Sequence, residues 1–430
     1  MSERYDWKRR FEDKPARKAF AELYGADDDK QAARYARLAE AASSASRGAA
    51  ASPSAELRFY SAPGRTELGG NHTDHNRGRV LCAAVRLDAA ACVAPSDGAI
   101  VSLASQGFDP IKVDLSSLNP VPTERGTTAA LVRGVAACLA ARGWSPHGFS
   151  CAVASSVLPG SGLSSSAAIE VLLGTIMADL GGMQVPPVEI AKIGQRAENE
   201  YFGKPCGLMD QTASAVGGVV AIDFADPESP KVKRVEFDFA EEGYDLFVVN
   251  TGGSHADLTA DYASVPAEMK AVATVLGASY LREVEPEAII ARGPEIRSSC
   301  GDRAFLRALH FVAENARVVD MAEALEADDL GAYLKLVKKS GRSSWELLQN
   351  LYPCSSPKEQ GIPVALSLSS DYLGRKGAWR VHGGGFAGTI QAYVPRKISP
   401  GYEDLMHRYF GPDSVIPVSV RQQAAGRVSL

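Results

Sequence analysis

The sequence predicts an α+β protein of two domains preceded by a helical extension. A chain of 430 residues exceeds what one ordinary core holds. Strand-like and helix-like stretches mix along it without the regular strand–helix–strand repeat of a doubly wound sheet. The first 50 residues read as helix alone, and strand patterning begins abruptly at Leu57. The expected units are a helical N-terminal extension (1–50), an N-terminal domain (51–240) and a C-terminal domain (241–430).

In the extension, Lys8–Tyr24 and Gln31–Ala41 carry apolar residues at helical spacing among many charges, and read as helices outside the core. The small, polar run 39–56 then reads as a fraying helix and a connector. Leu57–Ser61 and Arg79–Val93 alternate as strands, followed by short strands at Val101–Leu103 and Lys112–Leu115. Helices are expected at Ala129–Arg142, Ala167–Leu180, Val188–Tyr201 and Met209–Val216. Strands are expected at Gly148–Ser155, Val219–Phe224, Val232–Phe239 and Tyr244–Asn250. Helices dominate from there to Asn350, with Ala304–Leu325 and Asp328–Ser340 the clearest. A helix near Val364–Leu373, a strand at Ala378–Val381 and an apolar segment at Thr389–Val394 follow. There are no internal repeats.

Composition narrows the function. The 46 basic and 51 acidic residues leave a net charge of −5, which argues against general nucleic-acid binding. No apolar run is long enough to span a bilayer, and the charged N-terminus has no secretory core, so no membrane partner and a cytoplasmic location are expected. The seven cysteines are scattered without a CxxC pair, which suggests reduced thiols rather than a zinc ribbon or disulfide frame. A monomer or weak homo-oligomer is expected.

Four segments carry chemistry. Residues 157–168 read Val-Leu-Pro-Gly-Ser-Gly-Leu-Ser-Ser-Ser-Ala-Ala between a strand and an apolar helix. Gly160 and Gly162 let the backbone approach a ligand, and the serines fall where unpaired helix N–H groups suit an anion. A phosphate cradle and a plain helix cap both fit this turn. It is not a Walker P-loop, since no GxxxxGK[ST] occurs.

Residues 62–78 gather Arg65, Glu67, Asn71, His72, Asp74 and His75 in one turn-rich stretch. They suit a polyol, although a solvated turn or a His-x-x-His metal pair also fits. Asp210 follows a Pro205–Gly207 turn among apolar residues, where a carboxylate is paired, structural or functional. The cluster 382–389, His-Gly-Gly-Gly-Phe-Ala-Gly-Thr, is a tight turn, a close backbone crossing or a second wall of a phosphate site.

Together, in this order and at these separations, the four segments resemble the galactokinase branch of the GHMP kinase superfamily. Gly64-Arg65 and His72-Thr73-Asp74 match its sugar-kinase signature. Pro159–Ala167 matches its Pro-x-x-x-Gly-Leu-Ser-Ser-Ser-Ala motif with one residue fewer. Pro205–Gln211 matches Pro-Cys-Gly-Ile-Met-Asp-Gln with Leu208 for Ile. Gly383–Gly388 matches its third motif with Ala387 for Gly. The likeness covers about 57–395.

The resemblance implies a ribosomal S5-type N-terminal domain, a ferredoxin-like C-terminal domain and an active site between them. It implies ATP-dependent phosphorylation of the anomeric hydroxyl of a hexose, with ATP and Mg²⁺ as cofactors and sugar and ATP as the small-molecule partners. Carried over, Asp210 is the catalytic Asp and Arg65 its partner. Ser166 and Glu198 are Mg²⁺ ligands, and Gly160, Ser161, Gly162, Leu163, Ser164 and Ser165 with Ser166 hold the nucleotide. Asn71, His72, Asp74, Gly207 and Tyr262 contact the sugar, although the family's Arg pair after Tyr262 is absent. The family has Glu, which contacts the sugar's C6 hydroxyl, where this chain has Asn71, and Tyr where it has His75. Galactose is the expected substrate. Galacturonate is the alternative if Asn71 faces C6, and a non-catalytic sugar and ATP sensor is the rival class.

Overall fold

The structure is a computed structural model that describes residues 7–25, 28–46, 56–157, 160–253 and 258–430. Three helices come first: α1 (Trp7–Phe11), α2 (Lys14–Tyr24) and α3 (Asp28–Ser46). The helix expected over Lys8–Tyr24 is broken because Asp13 starts a new one, accepting from Ala16 N at 2.9 Å with Pro15 in the first turn. The expectation that these helices stand outside the core is overturned. Phe11, Phe20 and Tyr35 are fully buried and pack with Phe59, Ala90, Cys92 and Ala152. The connector expected after them lies largely outside the described residues.

The first sheet is built on two long strands, β1 (Arg58–Gly69) and β2 (Arg79–Pro95), paired antiparallel. The polar stretch that the sequence read as turn-rich from Ala62 therefore runs as strand through Gly69, paired to β2 except at two irregularities, Gly64 and Leu68. The sheet continues with β3 (Ile100–Ser105) and β4 (Ile111–Asp114). Helix α4 (Thr128–Ala140) leads to β5 (Phe149–Ser155), which pairs with the second half of β2 and runs parallel to β3. Helices α5 (Ser165–Leu180), α6 (Pro187–Arg196) and α7 (Met209–Val216) follow, then β6 (Val219–Asp223) and β7 (Lys231–Val235); β6 takes the first half of β2. Helices α4 to α7 bury Leu131, Val135, Val171, Ile176 and Ile193 on the face opposite the N-terminal helices.

The second sheet is antiparallel, and among the described residues it has the order β11–β8–β10–β9. Its strands are β8 (Tyr244–Asn250), β9 (Ala378–Val381), β10 (Thr389–Pro395) and β11 (Val415–Val418). Between β8 and β9 lie α8 (Thr259–Val275), α9 (Pro286–Ala291), α10 (Gly293–Cys300), α11 (Asp302–Glu326), α12 (Leu330–Ser343) and α13 (Gly361–Leu373). Helix α14 (Ser399–Phe410) joins β10 to β11. Helices α11 and α12 tie the two sheets together through Val318, Met321, Tyr333 and Val337, packed with Leu68 and Leu81 from one sheet and Leu246 and Val248 from the other. Finally the chain returns to the first sheet, where β12 (Gly426–Val428) pairs with the start of β1. Helix α14 and strands β11 and β12 were not expected from sequence.

Candidate active site

The site lies where β1 meets the start of α5, the start of α7 and the glycine turn after β9. Gly64 on β1 makes this approach possible: a Cβ there would stand 2.8 Å from Leu163 O. Arg65 N in turn donates to Leu163 O at 3.0 Å, so the loop before α5 is laced to the strand.

That loop turns through Gly160 and Gly162, with φ of +76° and +75°. Gly162 also packs against the second sheet, where an added Cβ would meet Thr389 Oγ1 at 2.8 Å. Ser164 follows at φ +58°, in the left-handed region. It stands at the N-cap position yet caps nothing; its hydroxyl donates to Asp210 Oδ2 instead. The plain-cap reading of this turn is thereby excluded. The N–H groups of Ser165, Ser166 and Ala167 precede the first helical bond, from Ala168 N to Ser164 O, and Ser165 and Ser166 are half-buried at the rim. Ser161 and Leu163 are buried, and Leu163 packs in the core between the sheets. Pro159 lies outside the described residues.

Asp210 is the second residue of α7. Arg65 grips it with two bonds, Nε to Oδ1 and Nη2 to Oδ2, both at 2.7 Å. Arg65 Nη1 reaches Gly162 O at 2.5 Å, so one guanidinium joins the carboxylate to the loop. Burial raises the Asp210 pKa, but the Arg65 charge, its hydrogen bonds and the Ser164 hydroxyl outweigh it and hold the carboxyl below its ordinary 3.8. The carboxylate remains 31 % exposed, toward the cleft.

Behind Asp210, α6 ends in a π-turn, Ala197–Phe202, that turns Glu198 inward to 4 % exposure. Glu198 accepts from Lys204 Nζ at 3.3 Å and from Gln211 Nε2 at 3.2 Å. Gln211 Nε2 also bonds Glu170 Oε2 at 2.9 Å. Burial, with the nearby Glu198 charge, pushes the Glu170 carboxyl well above its ordinary value. Glu170 Oε1 and Gln211 Oε1 are buried without hydrogen-bond partners among the described residues. No hydrogen bond or ion pair joins Glu198 to Ser166 there.

A cleft of about 220 Å³ opens beside the Arg65–Asp210 pair, lined by Glu67, Asn71, His72, Asp74, Gly207 and the turn at Gly383–Gly384. Gly207 is required by closeness: a Cβ would fall 2.3 Å from Asp74 Oδ2. His72, at φ +58°, donates from Nε2 to Gly384 O at 2.9 Å, and burial lowers its pKa to about 4. That ring nitrogen is committed, and no group of three or more metal-ligating side chains occurs among the described residues.

Two residues sit differently from expectation. Tyr262, on α8, stands behind the glycine turn: its hydroxyl donates to Gly385 O at 2.9 Å, and it is not among the residues lining the cleft. Asn71 borders the cleft, but its side chain is 1 % exposed and fully engaged by protein. Its Nδ2 donates to Gly383 O at 2.6 Å and Glu67 Oε1 at 3.2 Å. Its Oδ1 accepts from Asn350 Nδ2 at 2.9 Å and Ser344 Oγ at 3.2 Å.

Sequence reasoning gave no role to several buried groups at the site. Arg380 on β9 holds Glu67 Oε1 at 2.5 Å. Glu314 on α11 accepts from Gly70 N at 3.0 Å, fixing the turn after β1. Ser344 and Asn350 are placed by a second π-turn, Ser344–Leu348. For Arg380 the sequence signal was a charge inside the apolar stretch 378–381; Glu314, Ser344 and Asn350 carried no such signal.

Comparison with known proteins bears on the family and the fold. The GHMP kinases N terminal domain matches residues 130–218, and the galactokinase galactose-binding signature matches residues 50–95. The chain is 36 % identical over 337 residues to a galactokinase of Streptomyces coelicolor, covering 78 % of this chain and 84 % of the relative. It is 32 % identical over 338 residues to a galactokinase of Actinobacillus pleuropneumoniae, with the same coverages. In fold it is similar to the Lactococcus lactis galactokinase crystallised with galactose (TM-score 0.74, 23 % identity, 96 % of this chain and 98 % of that one). It is also similar to a Methanococcus jannaschii mevalonate kinase (TM-score 0.61, 16 % identity, 86 % and 99 %). A GHMP fold, a paired Arg–Asp at a glycine-serine helix start, and relatives sharing a third of its residues over most of their length make this chain a member of the galactokinase family, a sugar kinase of the GHMP superfamily.

Proposed function

We propose that the chain transfers the γ-phosphoryl group of ATP to the C1 hydroxyl of galactose. The observation that carries this reading is the Arg65–Asp210 pair, bonded through Ser164 and Gly162 to the loop before α5 and open on its other side to a polar cleft of about 220 Å³. One carboxylate is thus held between an anion-binding helix start and a sugar-sized recess.

Phosphoryl transfer has a loose transition state, so the protein chiefly positions groups and neutralises charge. Gly160, Ser161, Gly162, Leu163, Ser164 and Ser165 supply the backbone that cradles the nucleotide phosphates, with Leu163 anchoring the loop by its buried side chain. Asp210 orients the C1 hydroxyl and takes its proton; Arg65 keeps the carboxylate ionised and aimed. His72 and Asp74 shape the sugar side, with Gly207 giving Asp74 room and Tyr262 backing the glycine turn. Ser166 and Glu198 would hold Mg²⁺. The surroundings fit such an ion, since Glu198, Glu170 and Gln211 offer hard oxygens, two of them without partners. When bound, Mg²⁺ neutralises phosphate charge.

The galacturonate alternative rests on Asn71 meeting C6; the bonds of the Asn71 amide to Glu67, Gly383, Asn350 and Ser344 favour galactose over it. Galactose-dependent release of ADP is the direct test. Asp210→Asn keeps the fold and lowers kcat by about 10²–10⁴-fold, the usual worth of a general base. Near wild-type kcat in that variant would remove Asp210 from the mechanism.

A further inference from the structure

Arg65, Thr66 and Glu67 lie in regular register on β1, opposite Ala84, Ala83 and Cys82. Arg65 and Glu67 therefore project from the same face of the strand, about 7 Å apart. Arg65 is committed to Asp210, so Glu67 occupies the next position along the cleft wall, farther from the loop before α5. It lines the cleft with the Gly383–Gly384 turn.

The two oxygens of Glu67 have different duties. Oε1 accepts from Arg380 at 2.5 Å and from Asn71 at 3.2 Å. Oε2 has no hydrogen bond from any described residue and is not among the sealed-off buried atoms, so it is reachable from the cleft. Asn71 is the reverse case. An amide has two N–H donors and two acceptor positions, and all four are used by Glu67, Gly383, Asn350 and Ser344. A sugar hydroxyl would have to displace one of these bonds to reach it.

We infer that Glu67, not Asn71, contacts a sugar hydroxyl remote from C1, and that Asn71 and Arg380 brace Glu67 for that task. The inference rests on the proposed placement of the reacting C1 hydroxyl at Asp210. Arg380 meets the same oxygen that Asn71 does, so the brace fixes the carboxylate plane and leaves Oε2 to the ligand. Removing a hydroxyl that such a group was built to bond leaves the group unsatisfied, which makes the contact selective.

The test compares wild type and Glu67→Gln in steady-state kinetics with galactose and its 4-deoxy and 6-deoxy analogues. In the wild type, one analogue is expected to lose about ten- to a hundredfold in kcat/KM. In Glu67→Gln the galactose KM rises by about tenfold, kcat changes far less, and the preference over that analogue shrinks by a similar factor. A purely structural role for Glu67 would scale all three sugars alike, so preference ratios equal to wild type overturn the inference. If Glu67→Gln does not fold, Glu67→Asp decides in its place: it keeps the charge but withdraws it by one methylene, and unchanged ratios there overturn the inference equally. Failure of the kinase reading itself looks different, as an absence of sugar-dependent ADP release in the wild type.

Discussion

At the scale of single residues, the site is a set of carboxylates with sharply different environments. Asp210 is held ionised by Arg65 and Ser164. For Glu67, burial outweighs the Arg380 and Arg65 charges and raises the pKa from 4.5 to about 7, with Glu314 and Asp74 adding to the rise. These are the charged groups facing it from β9, β1, α11 and the turn after β1; His72 and His382 nearby are kept neutral by burial. The sign of a pH effect follows. Above about pH 7 Glu67 is a carboxylate and repels a sugar acid. As pH falls through that value it gains a proton, loses the repulsion and can donate from Oε2. The preference for galactose over galacturonate therefore narrows by roughly tenfold between pH 8 and pH 6 in the wild type, and stays flat in Glu67→Gln. Ratios of kcat/KM at the two pH values measure this, and a wild-type ratio independent of pH would contradict it.

Residue identities were legible where a motif fixed them. Asp210 was picked out because a charge among small and apolar residues needs a partner; the resemblance named Arg65 for it, and the two are paired in the structure. Glu67 was named in the sequence only as one of six polar residues suited to a polyol. The stretch was read as a turn, and only a strand places residues two apart on one face. The engagement of Asn71 was illegible for a related reason: its partners at 344, 350 and 383 are hundreds of residues away, beyond any local pattern.

At the scale of elements, the N-terminal helices have a structural task that composition concealed. Their charged faces suggested a solvated appendage, yet Phe11, Phe20 and Tyr35 seal one face of the first sheet. They also satisfy Asp88, a fully buried carboxylate on β2. Arg34 from α3 pairs with it at 2.6 Å, and Tyr24 from α2 donates to it at 2.6 Å. Arg34 further bonds Ala154 O at 2.5 Å, stitching the helix to β5. Stripping one partner from a buried ion pair is costly. Arg34→Ala should therefore lose about 3–5 kcal/mol in denaturant unfolding, while the folded fraction keeps its galactose KM, because Arg34 lies on the far face of the sheet from the cleft. A stability within 1 kcal/mol of wild type would show that Asp88 is served well enough by Arg421 and Ser61. Helices and strands with plain periodicity were mostly found from sequence to within a few residues. The two π-turns were not, since nothing in local composition distinguishes a widened turn from a regular one, and these carry Glu198 and Ser344 to the site.

At the scale of the whole molecule, the turn after β1 is tied to the helices that pack between the two sheets. Glu314 on α11 accepts from Gly70 N, bonds Ser340 on α12 at 2.6 Å and pairs with Arg317. Burial raises its pKa, but Arg317, His310 and Arg380 more than reverse this and bring it from 4.5 to about 2. A depressed carboxylate stabilises the fold above its unfolded pKa and loses that contribution as pH falls toward its folded one. Between pH 4.5 and 2 the wild type should lose about 3 kcal/mol through this group alone. Glu314→Gln should be less stable at pH 7 and show a shallower acid dependence; an equal loss of unfolding free energy in wild type and variant between pH 5 and pH 3, measured by urea titration, would dismiss the role.

The return of the chain to its first sheet has a consequence for how the protein is made. Strand β12 pairs with the opening of β1, Val420 bridges Val85, and Arg421 donates to Ser61 and lies 3.6 Å from Asp88. Strand β1 is therefore completed by residues synthesised hundreds of positions later. Until they arrive, β1 presents a bare edge and Asp88 lacks one of its cations. Such distant pairing is slow to form and leaves the nascent chain prone to association. A chain ending at residue 418 should accumulate as aggregate even with every cleft residue present, and supplying residues 419–430 as a separate peptide during refolding should recover soluble protein.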